Sequence, residues 1–307
     1  MQEHQQRESV LKSHTMAAIQ KTDSVPSTDT ARTDTTSVSD SQSQLDAILN
    51  YEPKGAQIIA REGLILAGGV VAILLQVANP GVGAGVYGHS NFVYRPVERL
   101  RTTMTYIYCI NFGTPAEKAA IINMVHRVHS TIKGPNYSAD DPKLQLWVAA
   151  TLYAVGIDLY EKVFGCFGDK EAERIYQDCA VLATALGVPP EMWPTDRSAF
   201  WAYWDGQIES FELTDESKSI ANDLLYSKRA PIWIKAGLRI IRLLTAEWLP
   251  NRLREGYGLK TSKRRQRFYT VFMGLTKAIY PRLPHFVREF PKYYYMRDMR
   301  KRMKDVV

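Results

Sequence analysis

An all-α fold is what this sequence predicts, and three observations carry that prediction. Apolar residues recur at intervals of three and four, one segment after another is stopped by glycine or proline, and alternating β-branched runs closed by Asn-Gly or Asp-Gly turns are missing. A chain of 307 residues with 45% hydrophobic content is also long enough to bury a sizeable core.

Taken in order, residues 1–45 are rich in Ser, Thr, Asp and Gln, with almost no large apolar residue after Leu11. Such a segment cannot bury enough surface to offset ordering entropy, so it reads as a disordered tail ahead of a single helical domain over 46–307. It lacks the apolar core of a secretory signal peptide. The expected location is therefore intracellular, cytoplasmic or peripheral to an internal membrane. Cys109, Cys166 and Cys179 are odd in number and contain no C-x-x-C, which argues against a disulfide framework and thiolate zinc sites.

The segment from Arg61 to Val77 is the most apolar, yet its run of about 15 residues is shorter than the ~20 a spanning helix requires. It reads as one buried core helix stopped near Asn79-Pro80, with Gly68 and Gly69 permitting close approach of another helix or a flat cofactor. A Gly-rich connector, Gly81 to Gly88, leads to a helix over Pro96–Phe112. Thr114-Pro-Ala-Glu117 then restarts a helix in capping-box style that continues to Ile132. A loop from Gly134 to Pro142 precedes helices over Pro142–Val163 and Glu171–Leu186, and Phe200-Trp-Ala-Tyr-Trp204 opens another.

The last third is basic. From Lys228 to Val307 there are 21 Lys and Arg against 5 Asp and Glu, which leaves the first 227 residues net negative within a total of +7. The segment Trp233–Trp248 sets Lys235, Arg239 and Arg242 among apolar residues at helical spacing and carries tryptophan at both ends. It suits either a membrane interface or an ordinary surface helix packed on the core. Lys263-Arg-Arg265 and Lys292-Tyr-Tyr-Tyr-Met-Arg297 add to an end fit for a peripheral contact with an anionic membrane surface. No zinc finger, RNP motif or basic zipper accompanies the charge, so nucleic acid is not the expected partner.

Candidate chemistry centres on His126 and His129, two of six histidines, whose spacing of three puts both imidazoles on one side of a helix. Either ring could ligate a metal or a haem iron, although the glutamate of H-E-x-x-H is absent and a zinc protease has no general base here. Arg99 and Thr103 lie one turn apart and can point a guanidinium and a hydroxyl into the same cavity. The planar forks of Arg99 and Arg101 suit a carboxylate. Asp140 and Asp141, ahead of Pro142, read as helix caps.

Five blocks acquire meaning together: Gln76-Val-Ala-Asn-Pro80, Gly85-Val-Tyr-Gly-His-Ser90, Val128-His-Ser-Thr-Ile-Lys-Gly134, Tyr137-Ser-Ala-Asp-Asp-Pro142 and Leu146-Trp-Val-Ala-Ala-Thr-Leu152. Their order and spacing, over roughly residues 56–250, resemble the rubber-oxygenase (latex-clearing protein) and MpaB-type oxygenase family. The resemblance implies a globin-like helical bundle around one haem b, with His129 as the proximal iron ligand and His126 beside the haem. Arg99 and Thr103 match the pair that lies by the haem in rubber-cleaving members and would polarise or position dioxygen. Arg101 would meet a propionate or substrate carbonyl, and His89 would orient a propionate, line the channel or simply cap the next helix. Thr102 stands where those members carry a distal lysine, and Asn79 and Ala149 stand where many relatives have histidine.

The activity so implied is a haem b-dependent oxygenase that uses dioxygen on an apolar small molecule, terpenoid or polyketide-derived, cleaving a carbon–carbon double bond in a biosynthetic pathway. The missing distal lysine leaves a haem-dependent dehydrogenase or hydroxylase as the second expectation. Asn79 and Ala149 leave a catalytically silent membrane-peripheral module as the third.

Overall fold

Helix starts in this chain are written locally, and the computed structural model, which describes residues 43–89, 96–226 and 232–304, shows how. A helix α1 (43–50) is followed by α2 (Lys54–Ala60), a 3-10 turn over Gly63–Gly68, and α3 (Gly69–Ala78). Next come α4 (Pro80–His89), α5 (Pro96–Phe112) and α6 (Pro115–His129). A two-residue antiparallel hairpin, β1 (Lys133–Gly134) and β2 (Tyr137–Ser138), pairs Lys133 with Ser138 and Gly134 with Tyr137. The long α7 (Pro142–Phe164) follows, then α8 (Asp169–Cys179), α9 (Val181–Thr184), α10 (Arg197–Ser210) and α11 (Asp215–Leu225). The basic end holds α12 (Ile232–Trp248), α13 (Asn251–Gly256), α14 (Lys263–Ile279), α15 (His285–Arg288) and α16 (Phe290–Lys304). The fold is all-α.

The capping box at the head of α6 forms as read: Thr114 Oγ1 accepts from the Glu117 amide at 3.3 Å, and Glu117 Oε2 accepts from the Thr114 amide at 2.9 Å. Pro115 at the first helical position costs nothing there because that amide would have no intrahelical partner. Asp141 caps α7 by accepting from the Lys143 amide at 2.8 Å. Asp140 does not cap; its Oδ1 is buried without a hydrogen-bond partner.

Two expectations are corrected. The apolar segment is not one helix but a 3-10 turn that becomes α only at Gly69, with the Leu64 amide donating to the Tyr280 hydroxyl at 3.0 Å. The Gly-rich connector is helical: Asn79 Oδ1 caps it by accepting from the Gly81 and Val82 amides at 2.9 and 3.3 Å. Each interior glycine costs a helix about 1 kcal/mol relative to alanine, and packing overrides it. A Cβ on Gly83 would stand 2.8 Å from the Val77 carbonyl oxygen, so only glycine lets α4 lie so close to α3. Gly68 likewise admits α7, since a Cβ there would meet Val155 Cγ1 at 2.5 Å and Leu159 Cδ1 at 2.6 Å.

The described residues from Leu45 onward pack around α3 and α7, whose Leu74, Leu75, Trp147 and Ile157 are among the most deeply buried side chains. The carbonyls of Leu74 and Leu75, near the end of α3, accept from the Tyr257 hydroxyl at 2.7 Å and from Trp147 Nε1 at 3.0 Å. Tyr153, Tyr176, Trp193 and Phe200 interlock edge to face and face to face beside α7. No single helix among the described residues is long and apolar enough to cross a membrane, though the bent pair of Lys54–Ala60 with Gly63–Ala78 has the length and composition. Seven of the ten α3 residues are buried in the protein itself. Most of the N-terminal tail (1–42) and the Ser90–Tyr94 stretch lie outside the described residues.

Candidate functional site

Arg99 and Thr103, one turn apart on α5, stand where two cavities adjoin. The larger, about 260 Å³, is enclosed by α4, α5, α6, the β hairpin and α7; the smaller, about 90 Å³, lies between α2, α3, α5 and α7. Their common wall is Gln76, Arg99, Thr103, Leu152 and Leu182. Both cavities are lined mainly by aliphatic and glycine surface, which suits an apolar occupant.

His129 comes to the wall of the larger cavity because α6 ends there and the chain turns into the hairpin. Its Nδ1 is buried with no hydrogen-bond partner. Burial holds the ring below its usual pKa, and the nearby Asp140 carboxylate opposes that shift without cancelling it, while His126 and Arg99 add to it. The result is a neutral imidazole with an uncommitted nitrogen, the form a metal accepts. Burial also pulls the Arg99 guanidinium down from its usual value.

The other sequence-derived candidates fall in different places. Thr102 lines the larger cavity, but its hydroxyl donates to the Glu98 carbonyl of its own helix at 3.0 Å. His126 is half-buried, does not line either cavity, and lies against Gly187. His89 is exposed and reaches the site only through Tyr137: the hydroxyl and His89 Nδ1 are 3.1 Å apart, and Tyr137 lines the cavity. Arg101, two residues from Arg99 and so on the far side of α5, grips Asp298 of α16 through both carboxylate oxygens. Asn79 is spent on capping α4, and Ala149 contributes a methyl group to the larger cavity.

Several lining groups escaped the reading of the sequence. Gln76 is polar in the middle of an apolar helix, which was a usable signal; its amide donates to Thr151 Oγ1 at 3.0 Å. Tyr106 and Gln145 also line the larger cavity while donating to the carbonyls of Leu182 at 2.8 Å and Ala139 at 3.0 Å. Nothing local marks them. Among the described residues no group of three or more His, Cys, Asp or Glu could hold a metal ion, so any metal here would rest on one protein ligand and a carrier ring.

The geometry therefore comprises a helical bundle, a mostly apolar cavity, an imidazole with an uncommitted nitrogen and a guanidinium at the junction of two chambers. The comparisons narrow this. The family model of the ER-bound oxygenase mpaB/B'/rubber oxygenase catalytic domain matches residues 56–278, and the chain belongs to that family. It is 34% identical over 242 residues to an uncharacterized protein of Mycobacterium bovis and equally to one of Mycobacterium tuberculosis, covering 76% of this chain and 95% of each relative. No solved structure matches it significantly.

Proposed function

We propose that this chain is a haem b-dependent oxygenase acting on an apolar small molecule of terpenoid or polyketide type, with cleavage of a carbon–carbon double bond by dioxygen as the leading reaction. Family membership supports an oxygenase. The observation that carries the haem is His129: a half-buried imidazole whose Nδ1 is buried and unpartnered, on the wall of an apolar cavity. The residues present fit that group, because a b-type haem needs one neutral axial nitrogen, apolar surface for its faces and a cation for its carboxylates.

His129 would hold the iron and Arg99 would face a propionate or the reacting oxygen. Bound haem supplies the iron at which dioxygen is activated. The protein's own work is positional. Asp140, whose buried Oδ1 also lacks a partner and whose charge acts on His129, is the carboxylate available to orient that ring. Leu152, Leu182 and Val148 exclude water from the cavity, which strengthens every polar contact made inside it. Thr103 places a hydroxyl at the junction of the two cavities, within the segment that also carries Arg99.

A second reading, a hydroxylase or dehydrogenase of the same kind, is favoured by Thr102: no lysine amine occupies that stretch of wall, and the hydroxyl there is committed to the backbone. Turnover of an isoprenoid under labelled dioxygen separates the two. Cleavage puts both oxygen atoms into product, hydroxylation one and dehydrogenation none. A purified chain that takes up no haem b removes both readings.

A further inference from the structure

The basic end of the chain carries a surface that the site does not use. Nine of the fourteen large hydrophobic side chains exposed among the described residues fall between Phe268 and Tyr294. Four of them, Phe268, Val271, Leu275 and Ile279, lie on α14 and are 53%, 62%, 56% and 56% exposed. Their spacing of three, four and four places them within an arc of roughly 80° at 100° per residue. The opposite pattern, Tyr269, Met273 and Thr276, faces the protein: Met273 is buried, and the Tyr269 hydroxyl accepts from Trp248 Nε1 of α12 at 2.9 Å. The stripe is therefore an outward face and not a misplaced core face.

Charge says what covers it. Lys263, Arg264, Arg265, Arg267 and Lys277 share the helix with the stripe, and no carboxylate lies within ion-pair distance of them among the described residues. From 263 to 304 there are 13 Lys and Arg against 2 Asp and Glu. Two such faces brought together from two copies would repel, whereas an anionic lipid surface offers both the opposite charge and an apolar layer for the side chains. The segment Trp233–Trp248, read as suiting either a membrane interface or a surface helix packed on the core, packs inward: Trp248 donates to Tyr269, and Leu243, Leu244 and Ala246 are buried.

We propose that α14 is a peripheral docking helix for anionic membrane, inserted through Phe268, Val271, Leu275 and Ile279 and held by its flanking Lys and Arg. The proposal does not depend on the haem reading. The test is co-sedimentation of the full-length protein with phosphatidylcholine vesicles, with and without phosphatidylserine, beside size-exclusion chromatography with light scattering. The expected result is binding that requires phosphatidylserine and weakens as salt rises. The double variant Val271→Glu/Leu275→Glu should lower the bound fraction by about tenfold or more, since it removes two inserted side chains and adds negative charge. Arg264→Gln/Arg267→Gln should weaken binding by about tenfold without altering the apolar stripe. All four positions are exposed, so unchanged circular dichroism is expected in both variants. No vesicle binding by the parent, equal binding to uncharged vesicles, or a parent dimer that becomes monomeric in Val271→Glu/Leu275→Glu would each overturn the proposal, the last by giving the stripe to a second copy.

Discussion

The two adjoining cavities share five wall residues and a mainly aliphatic lining, and differ in the polar groups they present. The larger carries His129 with its unpartnered nitrogen, the hydroxyls of Thr102 and Tyr137 and the amide of Gln145; the smaller is walled by Ile59, Ile65, Gly68, Gly69, Ala72 and Ile107, with Asn111, Tyr153, Met104 and Cys179 as its further polar or sulfur groups. Burial pushes the Cys179 thiol above its usual range, which favours the protonated form. The larger chamber offers an imidazole nitrogen that can ligate; the smaller offers none, and its buried polar atoms without a partner are Asn111 Oδ1 and the Tyr153 hydroxyl. Arg99 and Thr103 stand at the boundary, so a group held in the larger chamber and an apolar chain in the smaller would meet at those two side chains.

That division can be broken from either side. The largest stability effect is expected from Gly68→Leu, which drives a side chain into Val155 and Leu159 and should cost about 3 kcal/mol, read as a lowered denaturant midpoint. A stability equal to the parent's would show that the Gly63–Gly68 turn and α7 are not tightly apposed. Asp140→Asn keeps the shape and removes the charge beside His129, and should weaken haem b binding by about tenfold in a titration followed by absorbance. Unchanged affinity would separate Asp140 from the ligand.

Glu117→Ala should destabilise by about 1 kcal/mol, because it opens the α6 cap and frees Arg300 of α16, whose Nε lies 2.6 Å from Glu117 Oε1. The Arg300 contact holds the Glu117 carboxyl below its usual pKa, so its contribution is present above the unfolded carboxyl's pKa and fades as pH falls through the folded one. Parent and variant should therefore converge in acid and differ at neutral pH; a gap that does not change with pH contradicts the ion pair. The smallest effect belongs to His126→Gln, expected within about 0.5 kcal/mol and with haem affinity unchanged, since that ring lines neither chamber. A large loss of haem binding there would move the ligand one turn back along α6.

What the sequence revealed depended on how local the cause was. The head of α6 was legible because Thr114, Pro115 and Glu117 satisfy one another within four residues. The glycine-rich α4 was not, since its stability comes from close packing on α3 and its cap from Asn79, a residue whose other reading was a departure from the family. Asp140 and Asp141 are adjacent and look alike, but one caps α7 and the other is buried near His129, a difference set by the hairpin that precedes them. Arg101 meets Asp298 across 197 positions, and no local pattern announces such a pair. At the site, the spacing of Arg99 with Thr103 was readable as one helical face, while Tyr106, Gln145 and the second chamber emerged only from packing.

Every role proposed for the larger chamber turns on His129 being the residue that would hold a haem. The sharpest check is an absorption spectrum of the purified chain reconstituted with haem b, taken beside His129→Ala of unchanged circular dichroism. A protein-bound Soret band is expected in the parent and lost in the variant. An identical band in both, or none in the parent, would contradict it.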